Sequence, residues 1–254
     1  MLRLIIFFSF MVGSAGASER LVSAVPALTE MVYRLEAGDQ LVGVSDYCKF
    51  PQSTSVLKKI GSPFTPHIET IIKLRPTLVL TQRLQDRSFV KKLKQLKISV
   101  VEFKIDSYED VIAAIKKLGK ILKKSSQKIV SDILSAQKAL EGLKKSGRFL
   151  VIINSEMMSK SAASFMGAGR GTYLSDVIQK SGLKNWFSKV KGYKEIGREK
   201  LFVDPPEYIF VFNKKIKENL ESSKSKVILL NPDWALIPGP RVSEMMKELV
   251  LKLH

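Results

Sequence analysis

Hydrophobic residues in the N-terminal part of the chain form short continuous runs, separated by helically spaced patterns. Continuous apolar runs of this length predict buried β-strands. The runs lie at Leu21–Val25, Leu41–Ser45, Thr77–Thr81 and Ile98–Phe103. Between them, apolar residues recur every three or four positions, as in the helix predicted to start at Pro26. Strands that alternate with helices predict a mostly parallel sheet.

The pattern changes at Ser107, after which roughly forty residues keep helical periodicity without an intervening strand. The second part of this segment, Ser126–Lys145, places its apolar side chains along one stripe. A helix of that length spans about 30 Å, the width of a small domain. We interpret the segment as one long helix that joins two lobes.

Strand–helix alternation resumes at Phe149–Ile153 and continues to the last predicted helix, Arg241–Leu253. The glycine-rich stretch Gly167–Gly171 lacks the Gly-Lys-Ser/Thr of a phosphate-binding loop, so we interpret it as a turn before a helix. The predicted fold class is therefore α/β, with two Rossmann-like lobes of mostly parallel sheets joined by one long helix. The predicted limits are 18–105 for the N-terminal lobe, 106–146 for the helical linker and 147–254 for the C-terminal lobe.

Two stretches of the chain repeat one pattern: HIETIIKLRPTLVL in the first lobe and GREKLFVDPPEYIFVF in the second. In both, a glutamate opens a short apolar helix seven residues before a proline, and a hydrophobic strand follows. The pairs are Glu69 with Pro76 and Glu199 with Pro206. An acidic residue in the first turn stabilises a helix, which by itself explains one such glutamate. The repetition of the whole pattern further indicates that the two lobes have similar folds.

The N-terminus has the pattern of a secretory signal peptide, 1–17. An apolar run, Leu4–Val12, is followed by Ala15-Gly16-Ala17, which predicts cleavage near Ala17 and Ser18. The run is too short to span a membrane, and no cysteine follows it that could carry a lipid anchor. We therefore expect an exported, periplasmic protein, and export counts against nucleic acid as its partner.

Composition is that of a globular protein, with 45% hydrophobic and 26% charged residues, but the net charge is +18. Most of the excess is lysine on helically spaced segments, which is typical of solvated helix faces. A surface of this charge also suits polyanions or anionic lipid. An exported protein that binds such surfaces is therefore an alternative function from another class.

The sequence gives little support for an enzymatic function. It contains no Gly-x-Ser-x-Gly and no His-Glu-x-x-His motif, and its two histidines are His67 and His254. A histidine-dependent triad or zinc cluster is hard to build from these residues. We predict no catalytic residue, no metal site and no cofactor. Cys48 is the one cysteine, so it forms no internal disulfide and is predicted to be buried.

Two open α/β sheets that face each other create a cleft, and ligands of such sheets lie beyond the carboxyl ends of the strands. The predicted loops at those ends supply both apolar and aromatic side chains. They contain Pro26 and Ala27, Tyr47 to Phe50, Gln82 and Arg83, Glu156 to Met158, and Asp233 and Trp234. Aromatic rings give wide contact, so these loops suit a large, partly planar ligand.

Four blocks of the sequence, in this order, resemble one known family. They are SAVPALTEMVYRLEAGDQLVGVSDYCKFP, IGSPFTPHIETIIKLRPTLVL, GREKLFVDPPEYIFVF and LNPDWALIPGPR. The family is the helical-backbone (class III) periplasmic substrate-binding proteins of ABC transporters, and the blocks are most similar to its cobalamin-binding members. The resemblance implies a protein that captures a ligand between its lobes. It also implies delivery to a permease dimer in the inner membrane, which works with separate ATPase subunits.

The resemblance also implies roles for particular residues. Glu69 and Glu199 match glutamates that project from the two lobes and pair with arginines of the permease. The positions that match ligand-contacting aromatic residues are Tyr47, Phe64, Tyr193 and Trp234. Phe64 and Tyr193 fall where the cobalamin binders carry tryptophan. For any one of these aromatic residues, burial in the core is the commoner alternative.

Three ligands fit the resemblance: a corrinoid, haem and an anionic ferric siderophore. A corrinoid is favoured by the similarity to the cobalamin binders. Haem iron can be ligated by tyrosine, for which Tyr47 or Tyr193 is the candidate. A siderophore would be held by Arg83, Arg170 or Arg241, because guanidinium groups suit planar anions.

Overall fold

The structure, a computed structural model, describes residues 19–83, 87–153, 164–220 and 223–254. The predicted signal peptide and the predicted loop residues Glu156 to Met158 lie outside the described residues. Within the described ranges, no helix has both the length and the apolar composition needed to cross a bilayer.

The N-terminal part forms a five-stranded parallel sheet. Its strands are β1 (Leu21–Ser23), β2 (Leu41–Val44), β3 (Lys58–Lys59), β4 (Leu78–Gln82) and β5 (Val100–Phe103), in the order β3-β2-β1-β4-β5. The helices of this part are α1 (Pro26–Arg34), α2 (Ile68–Leu74) and α3 (Ser88–Gln95), with short 3-10 turns at Gly38–Gln40 and Gln52–Val56. Pro26 occupies the first turn of α1, where its missing N–H costs no hydrogen bond.

The segment predicted as one long helix is two helices, α4 (Tyr108–Leu122) and α5 (Gln127–Glu141). Ser107 starts α4 with a capping box, in which its hydroxyl accepts from the Asp110 N–H at 3.1 Å. Lys123 ends α4 in the left-handed conformation, with φ of 52°. The chain then turns so closely over Gly119 that a Cβ there would lie 2.9 Å from the Lys124 carbonyl oxygen. A local turn, which helical periodicity does not reveal, therefore divides the segment.

The C-terminal part contains a four-stranded parallel sheet and a two-stranded antiparallel one. The strands are β6 (Arg148–Val151), β7 (Ser164–Ala168), β8 (Lys184–Asn185), β9 (Tyr193–Gly197), β10 (Tyr208–Val211) and β11 (Lys226–Leu229). The parallel sheet has the order β11-β10-β6-β8, and β7 pairs antiparallel with β9. The helices are α6 (Tyr173–Gln179), α7 (Arg198–Val203), α8 (Lys214–Asn219), α9 (Pro232–Ala235) and α10 (Val242–Leu253). The predicted α/β class with mostly parallel sheets is confirmed.

The antiparallel pair of β7 and β9 was not predicted. Gly167 and Ala168, taken as part of a turn, belong to β7. A Cβ on Gly167 would overlap the side chain of Ile196 on the neighbouring strand, so glycine at this position permits close strand pairing. The remainder of the glycine-rich stretch does lead into a helix, α6, which Thr172 caps by accepting from the Ser175 N–H.

One hydrophobic cluster runs through both parts of the molecule. It includes Leu21 and Val44 from the first sheet, Phe149 and Phe210 from the second, and Met246 from α10, all fully buried. The helices α1, α4, α5, α6 and α10 supply most of its other members. Two smaller clusters cover the remaining faces of the two sheets. The lobes thus share a core built from helices. The predicted lobe limits fall between β5 and α4 and between α5 and β6, and they remain predictions.

Candidate ligand site

A cleft lies at the carboxyl ends of the parallel strands, and it consists of three adjoining cavities that share Leu236. The first has a volume of about 180 Å³, and the other two have about 380 Å³ each. Residues at the carboxyl ends of β1 to β5 line one wall, and residues that follow β6, β7 and β11, with Tyr193 at the start of β9, line the other. This is the position in which open α/β sheets bind ligands.

Six of the eight residues predicted to bind ligand line these cavities. Pro26, Ala27 and Phe64 line the first cavity, Tyr193 the second, and Tyr47 and Arg241 the third. The three aromatic side chains are well exposed, at 77% for Phe64, 53% for Tyr47 and 44% for Tyr193. They are therefore available for contact with a ligand and are not core residues.

Trp234 and Arg83 are not among the lining residues. The Trp234 indole N–H donates to the Glu248 carboxylate at 3.0 Å, and the same carboxylate accepts from the Asn231 backbone N–H at 3.2 Å. Trp234 is half-buried against the core and fixes α9 to α10. Arg83 is exposed, and its backbone N–H donates to the Phe103 carbonyl at 2.8 Å, which continues the pairing of β4 with β5.

Arg241 lines the third cavity, but its charge is already neutralised by Glu30. Its Nε and Nη2 donate to the two Glu30 oxygens at 2.8 and 2.5 Å, and Nη2 also donates to the Asp233 carbonyl at 2.6 Å. The Phe50 ring covers the guanidinium, with its centroid 4.3 Å away. Burial raises the pKa of the Glu30 carboxyl, and the hydrogen bonds from Arg241 oppose this shift. The arginine is thus a part of the cleft wall with little capacity left for an anionic ligand.

The charged side chains that line the described cleft give it no excess of positive charge, because Arg241 is paired with Glu30. They are Lys49, Asp106, Asp233 and Arg241, two of each sign. Arg170, predicted as a further candidate for an anionic ligand, is exposed and does not line the three cavities. The whole chain carries a net charge of +18, so its positive charge lies mostly outside the cleft.

The segment that joins the three cavities was not predicted from the sequence. Leu236, Ile237 and Pro238 form a short apolar segment between α9 and α10, and each lines at least two of the cavities. The sequence feature that could have revealed these residues is an apolar, proline-containing stretch that matches neither helix nor strand periodicity. Tyr173 was also missed. It lines the second cavity and is buried, and burial raises the pKa of its hydroxyl.

The surroundings of Tyr193 in the second cavity raise the pKa of its hydroxyl. Desolvation raises the pKa of its phenol to about 12, a hydrogen bond with Thr172 opposes the shift, and nearby Asp176 and Asp106 add to it. The ring of Tyr193 is part exposed to the cleft, whereas its hydroxyl end lies among these polar groups.

The repeated glutamates occupy equivalent places. Glu69 lies in the first turn of α2 and Glu199 in the first turn of α7, and both are exposed. The next strand begins nine residues later in each case, at Leu78 and at Tyr208. These strands, β4 and β10, each pair in parallel with the first strand of their own sheet, β1 and β6. The repeat seen in the sequence is thus a repeat in the structure.

Two α/β lobes with a shared helical core and a cleft at their strand ends define a substrate-binding protein. Residues 21–239 match the periplasmic binding protein family, and the chain belongs to this family. The match confirms the predicted family and the prediction of a binding protein instead of an enzyme. Proteins of this family are periplasmic and pass their ligand to an ABC transporter.

Three relatives illustrate the similarity. The vitamin B12-binding protein of Vibrio parahaemolyticus serotype O3:K6 is 25% identical over 96% of this chain and 92% of its own length. The crystal structure of the periplasmic vitamin B12 binding protein BtuF of Vibrio cholerae has a TM-score of 0.78 and 22% identity, over 92% of this chain and 96% of that one. The periplasmic heme binding protein HutB of Vibrio cholerae has a TM-score of 0.80 and 19% identity, over 94% and 100%. The two structures show the shared fold.

Proposed function

We propose that the mature protein captures a corrinoid in the cleft between its lobes and delivers it to the permease of an ABC importer. The observation that carries this proposal is the contrast between the cleft and the surface. The described cleft is lined by exposed aromatic and apolar side chains and has no excess of positive charge, although the protein as a whole is strongly basic. A corrinoid presents a broad ring system rimmed by neutral amides, which suits such a lining.

The lack of a free guanidinium in the described cleft favours a corrinoid over haem. Haem carries two carboxylates, and a protein that binds it gains from a free arginine near them. In the described cleft, the guanidinium of Arg241 is already held by Glu30. An anionic ferric siderophore meets the same absence of a free guanidinium among the described lining residues.

Haem is the second candidate, because the fold is shared with a heme binding protein and because Tyr47 offers an exposed phenol at the cleft. Its binding would require the ligand carboxylates to lie at the mouth of the cleft, where Lys49 is exposed.

The alternative function is the binding of polyanions or anionic lipid. The salt dependence of binding distinguishes it from ligand binding in the cleft. Binding that neutralises several charges weakens steeply as salt rises, whereas contact of a neutral ligand with aromatic side chains does not. We expect equilibrium dialysis with cyanocobalamin to give one site per monomer and affinities within about threefold of each other at about 0.05 M and about 0.5 M salt. Absence of cyanocobalamin retention, together with salt-sensitive binding of heparin or anionic vesicles, would replace the proposal with the alternative.

The proposed docking partner is a permease dimer, with separate ATPase subunits, that presents two equivalent basic sites. Glu69 and Glu199 supply one exposed carboxylate from each lobe in equivalent positions. On a body with a net charge of +18, the two carboxylates fix the orientation in which a basic partner is approached. Each exposed pair contributes about 1 kcal/mol or less, but two formed together gain from avidity.

Charge reversal at both positions tests the docking proposal. Glu69→Arg with Glu199→Arg should leave cyanocobalamin affinity unchanged and abolish the ligand-dependent stimulation of the transporter ATPase. Asp39→Arg with Asp132→Arg is the matched control, because it reverses two exposed acidic residues that lie outside α2 and α7. Equal loss of stimulation in the control pair would assign the effect to net charge and remove the two glutamates from the docking role.

Export remains a proposal as well. We infer that residues 1–17 are removed and that the mature chain starts near Ser18. N-terminal sequencing of the protein recovered from a periplasmic extract tests this, and a start more than a few residues from Ser18 would contradict it.

A further inference from the structure

The helices that carry the two docking glutamates also share a pattern of burial. In α2, the residue two positions after Glu69 is Ile71, which is fully buried, and the residue three positions after it is Ile72, which is exposed. In α7, Leu201 is fully buried and Phe202 is exposed at the same two offsets from Glu199. Both helices thus present a carboxylate and an apolar side chain on their outer face, in the same register.

The spacing places each apolar side chain beside its glutamate. Residues three positions apart on a helix are neighbours on its surface, with Cβ atoms roughly 5–6 Å apart. Ile72 is 44% exposed and Phe202 is 50% exposed, so neither is used by the core of its own lobe. Val203, next to Phe202, is 86% exposed and enlarges the apolar surface of the second helix.

A single exposed apolar side chain needs no explanation, because folded proteins expose many. Here, however, two exposed apolar side chains lie at the same offset from two equivalent glutamates, in two lobes whose sequences otherwise differ. This coincidence does need an explanation. Burial of these side chains in the folded chain does not account for them. The outer face of each helix is also where the docking proposal already places the partner.

We propose that Ile72 and Phe202 are apolar anchors of the docking contact, so that each lobe offers the permease one carboxylate and one adjacent hydrophobic side chain. This inference rests on the docking role proposed for Glu69 and Glu199 and adds to it the chemistry of the partner. The matching site on each permease subunit would hold a basic side chain beside an apolar pocket. Removal of water from the apolar contact strengthens the neighbouring ion pair, since charges interact more strongly in a dry environment.

The test is a binding measurement with the importer's permease–ATPase complex held in nanodiscs. Ile72→Ser and Phe202→Ser should each weaken docking about tenfold, and the two together about a hundredfold, because well-separated anchors contribute independently. Ile72→Val and Phe202→Leu keep an apolar side chain and should dock within about threefold of the unaltered protein.

Leu134→Ser is the matched control, since Leu134 is 49% exposed on α5, away from both glutamates. It should leave docking unchanged. Cyanocobalamin affinity and the thermal unfolding midpoint should stay near those of the unaltered protein in all variants, which excludes damage to the cleft or the fold.

The outcomes separate this inference from the docking proposal beneath it. Normal docking of both serine variants, with docking lost in the Glu69→Arg, Glu199→Arg variant, would overturn the anchors and retain the glutamates. If only one of the two serine variants weakened docking, the proposed equivalence of Ile72 and Phe202 would be wrong. Normal docking of the charge-reversed variant would remove the docking proposal itself.

Discussion

Arg241, at the start of the last helix, and Glu30, within the first helix, form an ion pair across the two lobes. They are 211 residues apart in sequence, yet two guanidinium nitrogens lie 2.5 and 2.8 Å from the two carboxylate oxygens. The side chains are 10% and 2% exposed. The pair connects α1 to the start of α10 at the edge of the cleft, so the geometry of the ligand site depends on it.

Loss of one member of this pair should destabilise the protein strongly. Arg241→Met leaves the Glu30 carboxylate buried without its partner, which costs about 3–5 kcal/mol for pairs of this kind. The double variant Glu30→Met, Arg241→Met removes both charges and should recover most of the loss. Urea unfolding measures both free energies. A single variant within about 0.5 kcal/mol of the unaltered protein would show that the pair contributes little.

Trp234 and Tyr193 should respond in opposite ways to substitution. Tyr193→Ala removes a ring exposed in the cleft and should weaken cyanocobalamin binding about tenfold. Trp234→Phe removes the hydrogen bond to Glu248 and should cost about 1–2 kcal/mol of stability with affinity changed less than about twofold. Calorimetric titration and thermal unfolding of the two variants check this. The reverse pattern would return Trp234 to the ligand site that its sequence position suggested.

Ligand binding should change the shape of the protein only slightly. One hydrophobic cluster passes through α1, α4, α5 and α10, so a wide opening of the lobes would expose buried side chains. We expect the radius of gyration from small-angle X-ray scattering to differ by about 1 Å or less between the free and the cyanocobalamin-bound protein. A decrease of several ångströms on binding would show a hinge that this shared core should prevent.

Local patterns in the sequence predicted those features that depend on neighbouring residues. The α/β class, the central strands and the equivalent places of Glu69 and Glu199 follow from periodicity and from one repeated motif. The turn at Lys123 was missed, because helical spacing continues on both sides of it. The pairing of β7 with β9 was missed, because a glycine inside a strand has the same signature as a turn.

The site was predictable only in part for the same reason. Tyr47, Phe64 and Tyr193 follow strands or occupy family positions, and the structure places them at the cleft. No local pattern shows that Arg241 is already paired, since Glu30 lies in the first helix. Likewise, Leu236 comes to line all three cavities only because the tertiary fold brings it next to residues that follow β1, β2 and β6. Contacts of this range are set by the tertiary fold.

A side-by-side titration of the mature protein with cyanocobalamin and with haem tests the central claim most directly. Absorbance and calorimetry would be recorded on the same preparation at one salt concentration. The lack of excess positive charge in the described cleft, which follows from the pairing of Arg241 with Glu30, predicts one cyanocobalamin per monomer, with a Kd of about 1 µM or lower, and haem at least about tenfold weaker. Stoichiometric haem binding with a tyrosine-ligated iron spectrum, tighter than the binding of cyanocobalamin, would contradict the account and identify haem as the ligand.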